Sequence, residues 1–192
     1  MKRLVQLLAC VLFSLCLVGG AHAQNGNALN FDQQLGVFGS YQDTDYLDDG
    51  YGGGLRYALF TRVADPAPGS VLEGIDIGGD VRASWLADYD EDAFDTDMYP
   101  AQANLLVRAE LQNGFRPYAG GGVGYVWFDN DDKELDDEYS YSALLGFDQM
   151  ITERFSLFVE GQYMWLEPDY DNMSGDADMD GFGINAGLNF NF

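Results

Sequence analysis

The sequence predicts an all-β fold, an eight-stranded antiparallel up-and-down transmembrane β-barrel with short periplasmic turns and long acidic extracellular loops. Apolar residues alternate with small or polar ones in eight segments, as in GFGINAGLNFNF at 181–192. Short and long connections alternate between these segments, and acidic residues concentrate in the long ones. After residue 23, no stretch approaches the roughly 20 apolar residues of a membrane helix. A membrane-spanning form must therefore be a closed barrel.

Residues 1–23 are predicted to be a cleaved signal peptide, which leaves residues 24–192 as the barrel domain. MKR supplies a positive start, LVQLLACVLFSLCLVGG an apolar stretch, and AHA a cleavage site with small residues. A lipoprotein anchored at Cys16 is disfavoured because the bulky Leu15 precedes it. The signal peptide provides the entry into the export pathway that an outer-membrane protein needs.

Cleavage would remove both cysteines, Cys10 and Cys16, and the only histidine, His22. The barrel domain then lacks the thiols and imidazoles that most hydrolase and metal sites use. Its 7 basic and 32 acidic residues give 7 − 32 = −25, a charge that repels nucleic acid. We therefore expect no enzyme activity, no nucleic-acid partner and no cofactor other than weakly bound Ca²⁺ or Mg²⁺.

The strands are predicted from alternation in chain order, each long enough to cross a bilayer at a tilt. They lie at 31–42, 51–62, 72–85, 99–111, 116–128, 138–149, 155–165 and 181–192.

The connections between these strands differ in length and charge. The second, fourth and sixth, which include VADPAPGSV, QNGF and MITER, are short. The segments DTDYLDDG, LADYDEDAFDTDM, DNDDKELDDE and EPDYDNMSGDADMD at the other four hold 4, 6, 7 and 6 acidic residues, or 23 of the chain's 32. Odd-numbered connections of an up-and-down barrel share one rim, so this acid is expected at one end, as in outer-membrane barrels.

Aromatic residues predict two belts at the membrane interfaces. Trp85, Trp127 and Trp165 lie where strands three, five and seven meet the long loops. Near the opposite rim we expect a second belt of phenylalanines, made of Phe31, Phe60, Phe155, Phe190 and Phe192. A soluble sandwich, the alternative for such strands, does not explain why the tryptophans share one height.

Charged residues within the strands are expected to face the lumen, because a charge facing lipid costs kilocalories. On strands two, three, four and seven they alternate with apolar residues. The predicted lumen network comprises Arg56, Arg62, Arg82 and Arg108 with Asp76, Asp80, Glu110 and Glu160. Buried charges persist when paired, so a salt-bridge network is expected to fill the lumen.

The seventh connection contains DADMDG, in which Asp176, Asp178 and Asp180 precede a glycine. Alternate aspartates followed by glycine resemble the start of an EF-hand loop. A complete EF-hand is excluded because its twelfth position is Gly187 instead of glutamate. What remains is an oxygen cluster predicted to bind Ca²⁺ or Mg²⁺ weakly.

Two motifs carry a family resemblance. RPYAGGGVGYVWF at 116–128 is similar to the fifth-strand pattern of small outer-membrane barrels, and the closing NFNF resembles a C-terminal assembly signal ending at Phe192. With these, residues 24–192 resemble the porin-like family of the OmpA transmembrane domain and OmpX type. The resemblance implies a Gram-negative-type outer membrane, contact with its lipid and lipopolysaccharide, and recognition of Phe192 by the assembly machinery.

The expected function is that of a non-enzymatic surface barrel for envelope integrity or surface interaction. The alternative is a narrow channel or conduit for small solutes or apolar molecules, which is disfavoured because side chains normally fill an eight-stranded lumen. A monomer is expected, and the sequence does not identify an extracellular partner.

Overall fold

The computed structural model describes residues 31–44, 49–67, 69–88, 96–130, 137–166 and 180–192. Eight antiparallel strands form a closed barrel in which each strand pairs with the next and β1 pairs with β8. The strands are β1 (Phe31–Thr44), β2 (Gly50–Ala64), β3 (Leu72–Asp88), β4 (Thr96–Leu111), β5 (Phe115–Asn130), β6 (Glu138–Met150), β7 (Phe155–Leu166) and β8 (Gly181–Asn191). The predicted fold class is confirmed, and each predicted boundary lies within three residues of the observed one.

The alternation of the sequence determines which side chains enter the lumen. On β8 the side chains of Asn185 and Asn189 are buried inside, whereas Phe182 and Ile184 are exposed on the outer surface. Successive residues of a strand point to opposite faces, so the apolar face of β8 points outward. Since β1 and β8 pair along their length, the barrel leaves no free strand edge.

The two ends of the barrel differ in their connections. At one end, called the turn end, residues 65–71, 112–114 and 151–154 join the strands, and β1 begins there. At the other, called the loop end, the connections are 45–49, 89–95, 131–137 and 167–180. Within the described parts of the chain, no helix has the length and apolar character needed to cross a membrane.

The turn between β4 and β5 shows how the sequence produces a tight connection. Gly114 has a φ of 71°, and its amide donates a hydrogen bond of 2.9 Å to the carbonyl oxygen of Leu111. The side-chain oxygen of Asn113 accepts a second hydrogen bond from the amide of Phe115. Glycine adopts this left-handed conformation without a steric penalty, so QNGF reverses the chain in three residues.

Candidate functional site: the filled lumen and the acidic loop end

Two arginines and two carboxylates occupy the middle of the lumen, and we call Arg56, Asp80, Arg82 and Glu160 the central tier. The guanidinium of Arg82 donates hydrogen bonds to both Asp80 and Glu160. Arg56 lies 3.5 Å from Asp80, and all four side chains are at most 4% exposed. The central tier is therefore a charge-balanced cluster that is shielded from water.

Neutral donors add further hydrogen bonds to the carboxylate oxygens of the central tier. Tyr118 and Asn185 donate to Glu160 at 3.0 and 3.1 Å, and Asn104 donates to Asp80 at 2.7 Å. Buried ion pairs are tolerated when such additional hydrogen bonds offset the loss of hydration.

A second charged layer lies closer to the turn end. This turn-end tier comprises Asp32, Arg62, Asp76, Arg108, Glu110 and Arg116. Arg108 donates to Asp32 at 2.6 Å and to Asp76 at 2.9 Å. Arg62 bridges Asp76 and Glu110, and Arg116 donates to Glu110 at 2.6 Å. The side chain of Arg62 is 38% exposed and that of Asp32 is 32% exposed, so water reaches the edge of this tier.

Toward the loop end the lumen contents change from charged to apolar. Side chains from β3, β4, β5 and β7 form a buried cluster, called the apolar plug, of Leu86, Met98, Val126, Phe128, Met164 and Leu166. Each is at most 6% exposed. Gln102 links the plug to the polar region, since its amide donates to the sulfur of Met164 at 3.8 Å. Three successive layers of side chains thus fill the described lumen.

The eight lumen residues singled out from the sequence divide between the two charged layers. Arg56, Asp80, Arg82 and Glu160 lie in the central tier, and Arg62, Asp76, Arg108 and Glu110 lie in the turn-end tier. Sequence reasoning did not identify Arg116, Asp32 or the apolar plug as parts of the lumen. The sequence does contain a signal for the apolar plug. Consecutive apolar residues such as Val126-Trp127-Phe128 make both faces of the strand apolar, so one of these faces must point into the lumen.

The assignment of Phe60 to the turn-end aromatic belt is wrong. Phe60 is 1% exposed inside the barrel, where the guanidinium carbon of Arg108 lies 3.9 Å from its ring centroid. It shares the parity of Arg56 and Arg62 on β2, so its side chain must point inward with theirs. Rings on the outer surface near the turn end pair as Phe115–Phe147 and Phe155–Phe190, at 5.2 and 5.5 Å.

The tryptophans singled out from the sequence lie at the loop end of the outer surface. Trp85 and Trp165 are 41% and 43% exposed. Trp127 packs against Tyr125 with ring centroids 4.9 Å apart, and Trp165 packs against Tyr163 at the same distance. Amphipathic rings at one height match the position of a bilayer interface.

Phe192, the predicted assembly signal, lies at the turn end beside β1. Its amide donates a hydrogen bond of 3.0 Å to the carbonyl oxygen of Gln33, and its ring stacks on that of Phe190. The side chain is 59% exposed, which leaves it accessible to a partner.

The predicted cation cluster is only partly described. Asp176 and Asp178 lie outside the described residues, as do most of the acidic loop positions. The carboxylate of Asp180 accepts hydrogen bonds from the amide of Leu166 at 3.1 Å and from the hydroxyl of Tyr163 at 3.4 Å. Over the described ranges, no three His, Cys, Asp or Glu side chains are grouped so that they could hold a metal ion.

The family model of the outer membrane protein beta-barrel domain matches residues 8–192. The chain belongs to this family. Membership places the barrel in a Gram-negative-type outer membrane, with the aromatic residues of its outer surface toward lipid. No curated protein sequence matches the chain.

Solved structures share the fold at low sequence identity. Neisserial surface protein A (NspA) superposes with a TM-score of 0.61 at 15% identity, over 84% of this chain and 97% of that chain. The outer membrane protein OprG from Pseudomonas aeruginosa gives 0.52 at 17%, over 87% and 98%. Ail, the attachment invasion locus protein of Yersinia pestis, in complex with the heparin analogue sucrose octasulfate, gives 0.53 at 11%, over 84% and 97%. These structures are similar to the chain in fold.

Proposed function

We propose that the protein is a non-enzymatic surface barrel whose acidic loop end faces the outside and binds cations or cationic partners. The observation that carries this proposal is the filled lumen. From the turn end to the loop end, the turn-end tier, the central tier and the apolar plug occupy the interior. A barrel with a packed interior acts through its surface, and its loops are the part that varies among barrels of one architecture.

The distribution of positive charge makes the loop end strongly anionic. Five of the seven basic residues beyond residue 23 are arginines that point into the lumen, which leaves only Lys133 and Arg154 elsewhere. Arg154 lies in the connection at the turn end. The acidic loop segments, with 23 carboxylates, therefore contain one basic residue, Lys133.

Divalent cations fit this surface for an electrostatic reason. Carboxylates crowded on one rim repel one another, and phosphates of neighbouring lipopolysaccharide add to that repulsion. Ca²⁺ or Mg²⁺ shared among loop carboxylates or bridging to those phosphates would relieve it. Flexible extracellular sites bind Ca²⁺ with dissociation constants on the order of 10⁻⁴–10⁻³ M. Such bridging would link the barrel to its lipid neighbours and support envelope integrity.

Calorimetric titration with Ca²⁺ at 0.15 M salt tests the cation proposal, using two variants that remove the same charge. One replaces Asp176, Asp178 and Asp180 with asparagine, and the other replaces Asp43, Asp49 and Asp129 in two other loop segments. A local site predicts that only the first variant loses binding, whereas a collective rim predicts equal loss in both. Unchanged heats in both variants would disprove cation binding by the acidic rim.

Conductance in planar bilayers distinguishes the surface barrel from the alternative, a narrow channel. The packed lumen predicts no resolvable ion current from the folded wild-type protein. Steady single-channel steps that scale with salt concentration would refute the surface-barrel proposal and support a channel.

Binding of sucrose octasulfate provides a test of charge selectivity. Ail was solved with this sulfated compound, but the loop segments here carry 23 carboxylates that repel sulfate. We expect no binding of sucrose octasulfate and measurable, salt-sensitive binding of oligolysine of similar size. The reverse order of affinities would rule out a cation-selective loop end.

A further inference from the structure

The lumen carries one more acid than its arginines can neutralise. The central tier balances two arginines against two acids, and the turn-end tier balances three against three. Among the described residues the remaining buried acid is Asp148 on β6, which is 2% exposed. Among the described residues, no arginine or lysine nitrogen lies within 4.0 Å of its carboxylate. A buried carboxylate without a counter-charge is costly, so Asp148 either takes up a proton or gains a cation from outside the chain.

The nearest arginine in the sheet does not supply that charge. Arg116 pairs directly with Asp148 in the register of β5 and β6. Its guanidinium is directed elsewhere, donating to Glu110 at 2.6 Å and lying 3.7 Å from Asp32. Its Nη1 has no hydrogen-bond partner among the described residues and does not come within 4.0 Å of Asp148. Asp148 instead accepts a hydrogen bond of 3.2 Å at Oδ2 from the side-chain amide of Gln34.

The hydrogen bond between Gln34 and Asp148 passes over two other strands. Gln34 lies on β1 and Asp148 on β6, and β7 and β8 separate them in the barrel wall. Ser156 and Asn189 pair with each other on β7 and β8, and both side chains point into the lumen. Since Asn191 pairs with Gln34, these residues line one small region of the inner wall.

Several buried oxygens of this region have no hydrogen-bond partner. Within the described structure, Asp148 Oδ1, Ser156 Oγ, Asn189 Oδ1 and Asn191 Oδ1 have no hydrogen-bond partner. Ser156 is 0% exposed and Asn189 is 1% exposed, so bulk water does not supply one. Buried polar atoms are normally satisfied, so unpartnered oxygens on neighbouring positions of β6, β7 and β8 are unusual.

We propose that these four oxygens bind a buried monovalent cation, such as Na⁺. Oxygen atoms from a carboxylate, two amides and a hydroxyl are ligands suited to hard cations. A single positive charge neutralises Asp148, whereas a divalent ion would leave an excess positive charge next to the arginine tiers. Neither Nδ2 nor Oδ1 of Asn189 has a partner in the described structure, so no hydrogen bond prevents the amide from turning its oxygen toward the ion.

Unfolding measurements in two salts test this proposal. The folded protein in uncharged detergent is unfolded with urea in NaCl and, at the same ionic strength, in N-methylglucamine chloride, whose cation is too large for the region. When Na⁺ is tenfold above its dissociation constant, linkage predicts that Na⁺ lowers the unfolding equilibrium constant of the wild type about elevenfold. Asp148→Asn should abolish the difference between salts, and Asp65→Asn, at an exposed turn-end acid, should retain it.

A more conservative variant covers the case in which Asp148→Asn does not fold. Ser156→Ala removes one neutral oxygen and should raise the Na⁺ concentration needed for half of the stabilisation. Crystals soaked in Tl⁺ should show anomalous density beside Asp148 Oδ1 and Asn189 Oδ1 in the wild type. Equal wild-type midpoints in both salts would overturn the proposal, as would a salt difference that persists in Asp148→Asn. A midpoint governed by pH and indifferent to Na⁺ would instead assign a proton to this position and also overturn it.

Discussion

Replacing Arg82 with leucine is the sharpest test of the central tier. Arg82 donates to Asp80 and Glu160, and the side chains of both acids are 0% exposed. Leucine would leave two buried carboxylates with Arg56 as the tier's remaining cation, 3.5 Å from Asp80. Breaking a buried ion pair typically lowers stability by about 3–5 kcal/mol. At 1.36 kcal/mol per factor of ten, the unfolding constant should rise by roughly 10²–10⁴.

A second substitution separates charge imbalance from loss of packing. In the double variant Arg82→Leu/Glu160→Leu, one acid and one arginine remain, so the central tier is balanced again. We expect this variant to recover at least half of the lost stability, because apolar replacements of a buried pair are often neutral or stabilising. The matched surface control is Arg154→Gln, which removes an exposed cation and should change stability by about 0–1 kcal/mol.

Urea unfolding in phospholipid vesicles provides the measurement. The fluorescence of Trp85, Trp127 and Trp165 should report the transition because all three lie near the loop end of the barrel, where the bilayer interface is expected. Mobility on gels with and without boiling checks that each variant folds. Equal midpoints for Arg82→Leu and Arg154→Gln would show that the central tier contributes no net stability and would refute the reasoning.

Three further changes test other layers of the structure. Gly120→Ala should destabilise the barrel by about 1–3 kcal/mol, because a Cβ there collides with the backbone oxygen of Leu105. The control Gly39→Ala places its Cβ no closer than 3.9 Å to any other atom and should unfold like the wild type. Equal urea midpoints for the two variants would contradict this prediction. Phe128→Ala should lower the free energy of unfolding in urea by about 3–5 kcal/mol. It should not create conductance, because both charged tiers remain in the lumen. An ion current through this variant would show that the apolar plug alone seals the lumen. Deleting Phe192 should reduce the amount of barrel in cell outer membranes while refolding into liposomes stays efficient; equal loss in both assays would make it a structural ring only.

The periodicity of the sequence was sufficient to predict the strands and most of their faces. A charged side chain in the middle of a strand cannot face lipid. The positions of Arg56, Arg82 and Glu160 therefore showed which alternate residues of their strands point into the lumen. Phe60 shows the limit of reasoning from residue type. Its parity with Arg56 places it inside, and that constraint outweighs the general preference of aromatic residues for a bilayer interface.

Which residues meet inside the barrel was decided only by closure of the sheet. Glu160 reaches Arg82 across the lumen from β7, and Arg116 turns away from Asp148, its neighbour in register, toward Glu110. These choices depend on distances between strands that are far apart in sequence, which alternation does not encode. Closure also gathers the apolar plug from four strands and, within the described part of the chain, leaves Asp148 without an arginine in salt-bridge distance. The sequence by itself therefore determined the faces and the charge of this barrel, while the tertiary structure decided the pairing, because each lumen contact joins side chains across a curved wall.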